Sequence, residues 1–176
     1  MQTFTLLAKK IKLLILDIDG VCTDGKLFYN ETGETFKAFH VHDGLGIKLL
    51  LASGVHIAVI SARESATVIR RMQGLGVQYI FQGYENKVDA YKILLQELNL
   101  KDDQVAYLGD DLPDLPLIKK VGLGMCVANA NEFLKPHAKF ITKKCGGNGA
   151  VRETCELIMQ AQGTLETSLA QYTNGI

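Results

Sequence analysis

The sequence predicts an α/β domain built on a doubly wound parallel sheet, and three observations carry that expectation. Residues 13–16 read Leu-Leu-Ile-Leu, an apolar run of strand length suited to burial on both faces. The run ends in two carboxylates two positions apart and a glycine, Asp17-Ile18-Asp19-Gly20. Further apolar runs at 55–60, 77–81, 105–108 and 123–127 alternate with helical segments, as βαβ units require. An acid at the end of such a run is expensive to bury and persists when it is paired, protonated or bound to a metal. In open α/β sheets the ligand crevice lies outside the carboxyl ends of the strands, where Asp17 and Asp19 fall.

Composition narrows the class. A length of 176 residues fits one domain spanning 1–176, with no internal repeat, low-complexity tract or linker. The 19 basic and 19 acidic residues balance without a long block of either sign, so nothing predicts a nucleic-acid partner. The first residues lack the order of a signal peptide, and no apolar stretch approaches the roughly 18 residues of a membrane span. Cys22, Cys126, Cys145 and Cys155 show no metal or redox spacing, which predicts reduced thiols and a soluble cytoplasmic chain.

Taken in order, the first strand is followed by a polar turn at 22–25 and two short strands at 26–30 and 34–41. Asn30-Glu31-Thr32-Gly33 between them suits a bulged hairpin turn, giving a hairpin over about 25–41. Phe28, Tyr29, Phe36 and Phe39 on its arms predict that it packs against something. A helix at 44–53 closes at Gly54, and the strand at 55–60 ends in Ser61-Ala62-Arg63. A helix over 64–75 ends at Gly76, and the strand at 77–81 leads through a polar loop to a helix from about 87 to 98. The strand at 105–108 ends in Gly109-Asp110-Asp111, and a helix at 115–121, strands at 123–127 and 139–142, and a helix from 150 to about 162 complete the pattern. The tail, about 163–176, is polar and expected to be loose unless docked.

Asp17, Asp19, Ser61, Lys87, Asp110, Asp111 and Asp114 all fall beyond strand ends, so one edge of a parallel sheet would gather them. Converging carboxylates repel unless a cation joins them, and oxygen-only ligands suit Mg²⁺. With a lysine and a hydroxyl added, the set has what phosphoryl transfer requires: a carboxylate nucleophile, a metal and donors for the phosphoryl oxygens.

Asp17-Ile18-Asp19-Gly20-Val21, Ser61, Lys87 and Gly109-Asp110-Asp111-Leu112-Pro113-Asp114 resemble, in order and spacing, the four motifs of the haloacid dehalogenase superfamily of phosphatases. Asp24-Gly25, Lys37-Ala38-Phe39, Asp43-Gly44-Leu45-Gly46-Ile47 and Gly146-Gly147-Asn148-Gly149-Ala150-Val151-Arg152-Glu153 resemble, more narrowly, the 3-deoxy-D-manno-octulosonate 8-phosphate phosphatase family. The resemblance implies a Mg²⁺-dependent phosphomonoesterase of lipopolysaccharide precursor synthesis, without a cap domain and assembled as a homotetramer. It implies that Asp17 attacks phosphorus to form an aspartyl-phosphate, while Asp19 acts as acid and then base. It places Mg²⁺ on the Asp17 side chain, the Asp19 main-chain carbonyl and Asp110, with Asp111 and Asp114 behind them; Asp114 is also a candidate cap of the next helix. Ser61 and Lys87 would hold phosphoryl oxygens, and Arg63 the sugar or its carboxylate.

Two departures stand out. Ser-Ala-Arg replaces the Thr-Gly-Arg of many relatives, which keeps a hydroxyl, and Asn148 stands where relatives often carry arginine. The second leaves a nine-carbon sialic-type acid phosphate as an alternative substrate. A non-catalytic oligomerisation domain is the other alternative, disfavoured because Asp17, Asp19 and Lys87 are all retained. Taken singly, each feature has a plainer reading: Asp-x-Asp as a turn, Lys87 as a solvated helix-start lysine, Arg63 as a surface residue. Cys22 reads as a small buried residue, and His40 and His42, alternating on a strand, lack a third metal ligand.

Overall fold

The computed structural model describes residues 2–31 and 33–173. Its first half runs α1 (Gln2–Ala8), β1 (Leu13–Leu16), β2 (Phe28–Asn30), β3 (Gly33–Phe36), α2 (Val41–Ala52), β4 (His56–Ile60), α3 (Ala66–Leu75) and β5 (Tyr79–Phe81). The second half runs α4 (Lys87–Leu98), β6 (Val105–Gly109), α5 (Leu115–Lys120), β7 (Leu123–Cys126), β8 (Phe140–Ile141), α6 (Ala150–Gln162) and α7 (Leu165–Thr173).

Six strands pair in parallel in the order β5-β4-β1-β6-β7-β8. Counted along the chain that order is 3-2-1-4-5-6, so the winding reverses between β1 and β6. Right-handed crossovers then put α2 and α3 on one face and α4 and α5 on the other. The helix contacts agree: α2 packs with α3 and α6, and α4 with α5. Every residue of β1 and β6 is buried, which explains their unbroken apolar reading.

The structure departs from the sequence reading at the ends of several elements. The outgoing hairpin arm stops at Phe36 instead of running to residue 41, and α2 begins at Val41, three residues before the expected start. His40 and His42 therefore do not alternate on a strand. His40 caps α2, its Nδ1 accepting the His42 N–H at 3.2 Å. Apolar periodicity missed this first turn because Val41 and His42 point to solvent. The sequence reading also missed α1, which lacks cap signals but is held by tertiary contacts. Phe4 lies against Phe140 with ring centroids 4.7 Å apart, and Gln162 Nε2 donates to the carbonyls of Ala8 and Ile11 at 3.1 and 2.7 Å. The tail, expected to be loose unless docked, is docked: it is helical to Thr173, and Leu165 and Leu169, one turn apart, pack on the core; residues 174–176 lie outside the described residues. Among the described residues, no helix is long and apolar enough to cross a membrane.

Candidate active site

The winding reversal leaves a crevice beyond the carboxyl ends of β1 and β6, where α/β sheets bind ligands. Asp17 directly follows β1, its N–H donating to the Leu108 carbonyl at 3.1 Å, and Asp110 directly follows β6. Ser61 follows β4 and is buried; its Oγ accepts the Arg63 N–H at 3.2 Å. Lys87 opens α4 beneath this edge and is also buried, so the reading of a solvated helix-start lysine fails.

After Asp17 the chain makes a wide turn, closed by the Thr23 N–H on the Ile18 carbonyl at 3.0 Å. Gly20 has φ +92, and a Cβ on it would lie 2.0 Å from Oδ2 of Asp110. Only glycine lets the carboxylate of Asp110 close on this turn. The glycine loop at 146–149 presses on the same turn from behind. A Cβ on Gly146 would stand 1.7 Å from the Gly20 carbonyl oxygen, and the Gly147 N–H donates to the Val21 carbonyl at 2.9 Å. Asp43 fixes the start of α6 by accepting the Gly149 and Arg152 N–H groups at 3.3 and 2.8 Å. Asn148 is exposed on this loop.

Carboxylate oxygens of Asp17, Asp110 and Asp114 lie within 4.8 Å of one another. Lys87 Nζ donates to Oδ1 of both Asp17 and Asp114, at 2.6 Å each. Tyr107 O–H donates to Oδ1 of Asp114 at 2.6 Å, and Oδ2 of Asp114 accepts the Asp110 and Asp111 N–H groups at 2.8 and 3.2 Å. Both oxygens of Asp114 are thus engaged by the protein. The expected cap of α5 is not made, because the Asp114 side chain turns back to the β6 loop. Asp111 is exposed and stands outside the converging carboxylates.

Three carboxylates against one ammonium leave an excess of negative charge in a buried place. Burial, reinforced by Asp114, pushes Asp17 up to about 7 despite Lys87. Burial together with Asp17 and Asp114 pushes Asp110 up to about 8. Burial alone would lower Lys87, but Asp17 and Asp114 outweigh it and raise its pKa. Such carboxylates hold protons in the absence of a counter-charge, and a hard dication satisfies the same oxygens. Asp17, Asp110 and Asp114 bring oxygens close enough to share one ion, and an all-oxygen donor set of this kind fits Mg²⁺.

A second group forms the outer wall. Lys37 Nζ donates to Oδ1 of Asp19 at 2.5 Å, while Oδ2 of Asp19 faces Arg63 Nε at 3.8 Å. Arg63 Nη1 donates in turn to the Tyr29 hydroxyl at 2.9 Å, linking the wall to the hairpin. Sequence reasoning assigned no role to Tyr107 or Lys37. The available signals were a polar-tipped residue inside the apolar strand before Gly109-Asp110, and a lysine beside the aromatic hairpin arm. Cys22 is buried, its thiol pushed well up by burial, as a packing residue requires.

Residues 64–153 match the family model of haloacid dehalogenase-like hydrolases. The chain is 44% identical over 164 residues to the 3-deoxy-D-manno-octulosonate 8-phosphate phosphatase KdsC of Escherichia coli K12, covering 93% of this chain and 87% of that protein. It superposes with a TM-score of 0.98 and 52% identity on the crystal structure of a probable YrbI-family phosphatase from Pseudomonas syringae pv. phaseolica 1448a, over 100% of both chains. The 3-deoxy-D-manno-octulosonate 8-phosphate phosphatase of Moraxella catarrhalis, crystallised with a magnesium ion, a phosphate ion and KDO, gives a TM-score of 0.94 at 44% identity, over 98% of this chain and 99% of that one. The chain belongs to the haloacid dehalogenase-like hydrolases, within the family of 3-deoxy-D-manno-octulosonate 8-phosphate phosphatases.

Proposed function

We propose that this chain hydrolyses 3-deoxy-D-manno-octulosonate 8-phosphate to the free sugar acid and phosphate, with Mg²⁺ as cofactor, in the supply of a lipopolysaccharide precursor. The observation that carries this reading is the meeting of Asp17, Asp110 and Lys87 at the switch point of the sheet, in a chain 44% identical to KdsC.

The residues divide the work. Asp17, held by Lys87, supplies the carboxylate that attacks phosphorus. As that O–P bond forms, the bond from phosphorus to the sugar oxygen breaks and Asp19 gives its proton to the departing alkoxide. Asp19 then takes a proton from the water that attacks the aspartyl-phosphate, releasing phosphate and restoring Asp17. Ser61 and Lys87 hold phosphoryl oxygens, and Arg63 faces the sugar acid. The Asp17 side chain, the Asp19 main-chain carbonyl and Asp110 would hold Mg²⁺, which when bound offsets the carboxylate and phosphoryl charge. Asp114 keeps Lys87 and the β6 loop in place behind them, and Asp111 supports the loop through its N–H.

Residues 1–176 form one capless domain in this reading, and a neighbouring copy in a homotetramer walls the open site. The exposed apolar hairpin supports that assembly: Tyr29 and Phe36 are 59% and 53% exposed, and Phe28 stacks on Phe36 at 4.3 Å. A fully active monomer in sedimentation at micromolar concentration would refute it. Four free thiols support a reducing cytoplasm as its place.

The test of the reaction is phosphate release from the eight-carbon sugar-acid phosphate, a nine-carbon counterpart and hexose phosphates, with Mg²⁺ or chelator, and Asp17→Asn as the blank. Release from the eight-carbon substrate should dominate and vanish in chelator and in the blank, where a loss of at least about 10⁴-fold is expected. Preference for the nine-carbon acid would keep the chemistry and move the substrate; no Mg²⁺-dependent release at all would overturn the reading.

A further inference from the structure

We propose that Lys37 is a positioning residue for proton transfer: it anchors Oδ1 of Asp19, so that Oδ2 is the atom presented to the leaving oxygen. This rests on the phosphatase reading above and adds a residue to it.

The geometry is specific. The Lys37 side chain is 2% exposed, and its ammonium lies 2.5 Å from Oδ1 of Asp19. Burying an ammonium is costly, and it is tolerated where a carboxylate meets it closely. Asp19 itself stays partly open, with 21% of its side chain exposed, and Oδ2 turns toward Arg63 at 3.8 Å. One oxygen is therefore taken by a buried cation while the other lies on the side of the partly exposed Arg63. The turn fixes the Asp19 backbone directly before Gly20 but leaves the side-chain torsions of Asp19 unset. Without an anchor the carboxylate is free to rotate about its side-chain bonds, and proton transfer tolerates little misplacement. Lys37 comes immediately after β3, so the same contact ties the position of the hairpin to that of the acid.

The step at stake is balanced simply. The Oδ2–H bond of Asp19 breaks and its proton goes to the bridging oxygen, whose bond to phosphorus breaks as Asp17 bonds to phosphorus. An alkoxide leaving group needs that proton; a nitrophenoxide, a far weaker base, leaves without it. Leaving-group release is therefore measured in single turnovers, with enzyme in excess and saturating Mg²⁺, for the sugar-acid phosphate and for 4-nitrophenyl phosphate. Lys37→Met should slow the first reaction by about 10²-fold, within the usual range for acid catalysis, and the second by less than about 3-fold. Lys37→Arg should recover part of the loss. Equal slowing of both substrates, or no slowing of either, overturns the proposal, since a general disturbance of the fold cannot tell leaving groups apart. If Lys37→Met does not fold, Lys37→Gln is read on the same two substrates with the same criteria. A wild-type chain inactive on both substrates would instead sink the phosphatase reading itself.

Discussion

Lys87 and Lys37 are both buried lysines, each holding a carboxylate that follows β1, yet they are built in opposite ways. Lys87 is enclosed by the sheet: it bridges Asp17 and Asp114, whose side chains are 9% and 2% exposed, and Tyr107 closes the group. Lys37 directly follows the hairpin, an appendage outside the sheet, and its partner Asp19 is partly exposed. The Asp17 group is thus a product of the core, and the Asp19 group is assembled from a turn, a loop and a hairpin. In the proposed function the first is the phosphoryl end and the second the leaving-group end, which would put the chemistry common to all phosphate esters in the rigid part and the contacts to the variable half of a substrate where loops can change them.

The largest test of this division is Asp19→Asn. Release of the sugar acid should fall by about 10²- to 10⁴-fold, while the first turnover of 4-nitrophenyl phosphate is largely spared. A matching loss on both substrates would show that Asp19 belongs with the phosphoryl end, and the division would break. Stability sharpens it next. Lys87→Met leaves Asp17 and Asp114 buried without their cation, a change expected to cost about 3–5 kcal/mol in urea unfolding without metal. Lys37→Met should cost clearly less, because water reaches Asp19.

The third test is pH. Asp17 and Asp110 are raised from 3.8 to about 7 and about 8 in the folded chain. Between the unfolded and folded values the folded state binds more protons, so stability falls as pH rises through that window. Metal-free melting temperature should therefore drop from about pH 5.5 to about pH 8.5, and Asp110→Asn should flatten the drop. Saturating Mg²⁺ should flatten it as well, since the cation replaces the protons. A metal-free protein that gains stability over this range because of these two groups would contradict the geometry of the cluster. The smallest effect is expected of Tyr107→Phe, which removes one donor from Asp114 while Lys87 and two N–H groups remain. A loss of about 1 kcal/mol in stability, with turnover within a few-fold of wild type, is the expected outcome.

Much of the site was legible because its residues are tied to strand ends. Asp17 and Asp110 follow short apolar runs that read as buried strands, and a parallel sheet brings such ends to one edge whatever lies between them. Lys87 was legible as a helix start, but its burial was not, since a lysine opening a helix usually faces water. Tyr107 and Lys37 escaped for a related reason. A tyrosine in a buried strand and a lysine next to a hairpin have ordinary structural uses, and only the partner at the far end of the side chain shows otherwise.

The alternation of strands and helices, the placing of Asp17 and Asp110 at one sheet edge and the need for a cation were decided by the sequence alone, because periodicity and charge are local properties; that Asp114 joins them while Asp111 stays outside was not. The first turn of α2, the helices α1 and α7 and the role of the glycine loop were not, because each is held by contacts between segments distant in the chain. Gly146 shows this clearly: nothing near it in sequence requires glycine, and only the folded chain places the Gly20 carbonyl where a Cβ would be. The division of the site into a core-built half and a hairpin-built half also belongs to the tertiary structure. It depends on which oxygen of which carboxylate each lysine reaches, and that is set by packing across the whole domain.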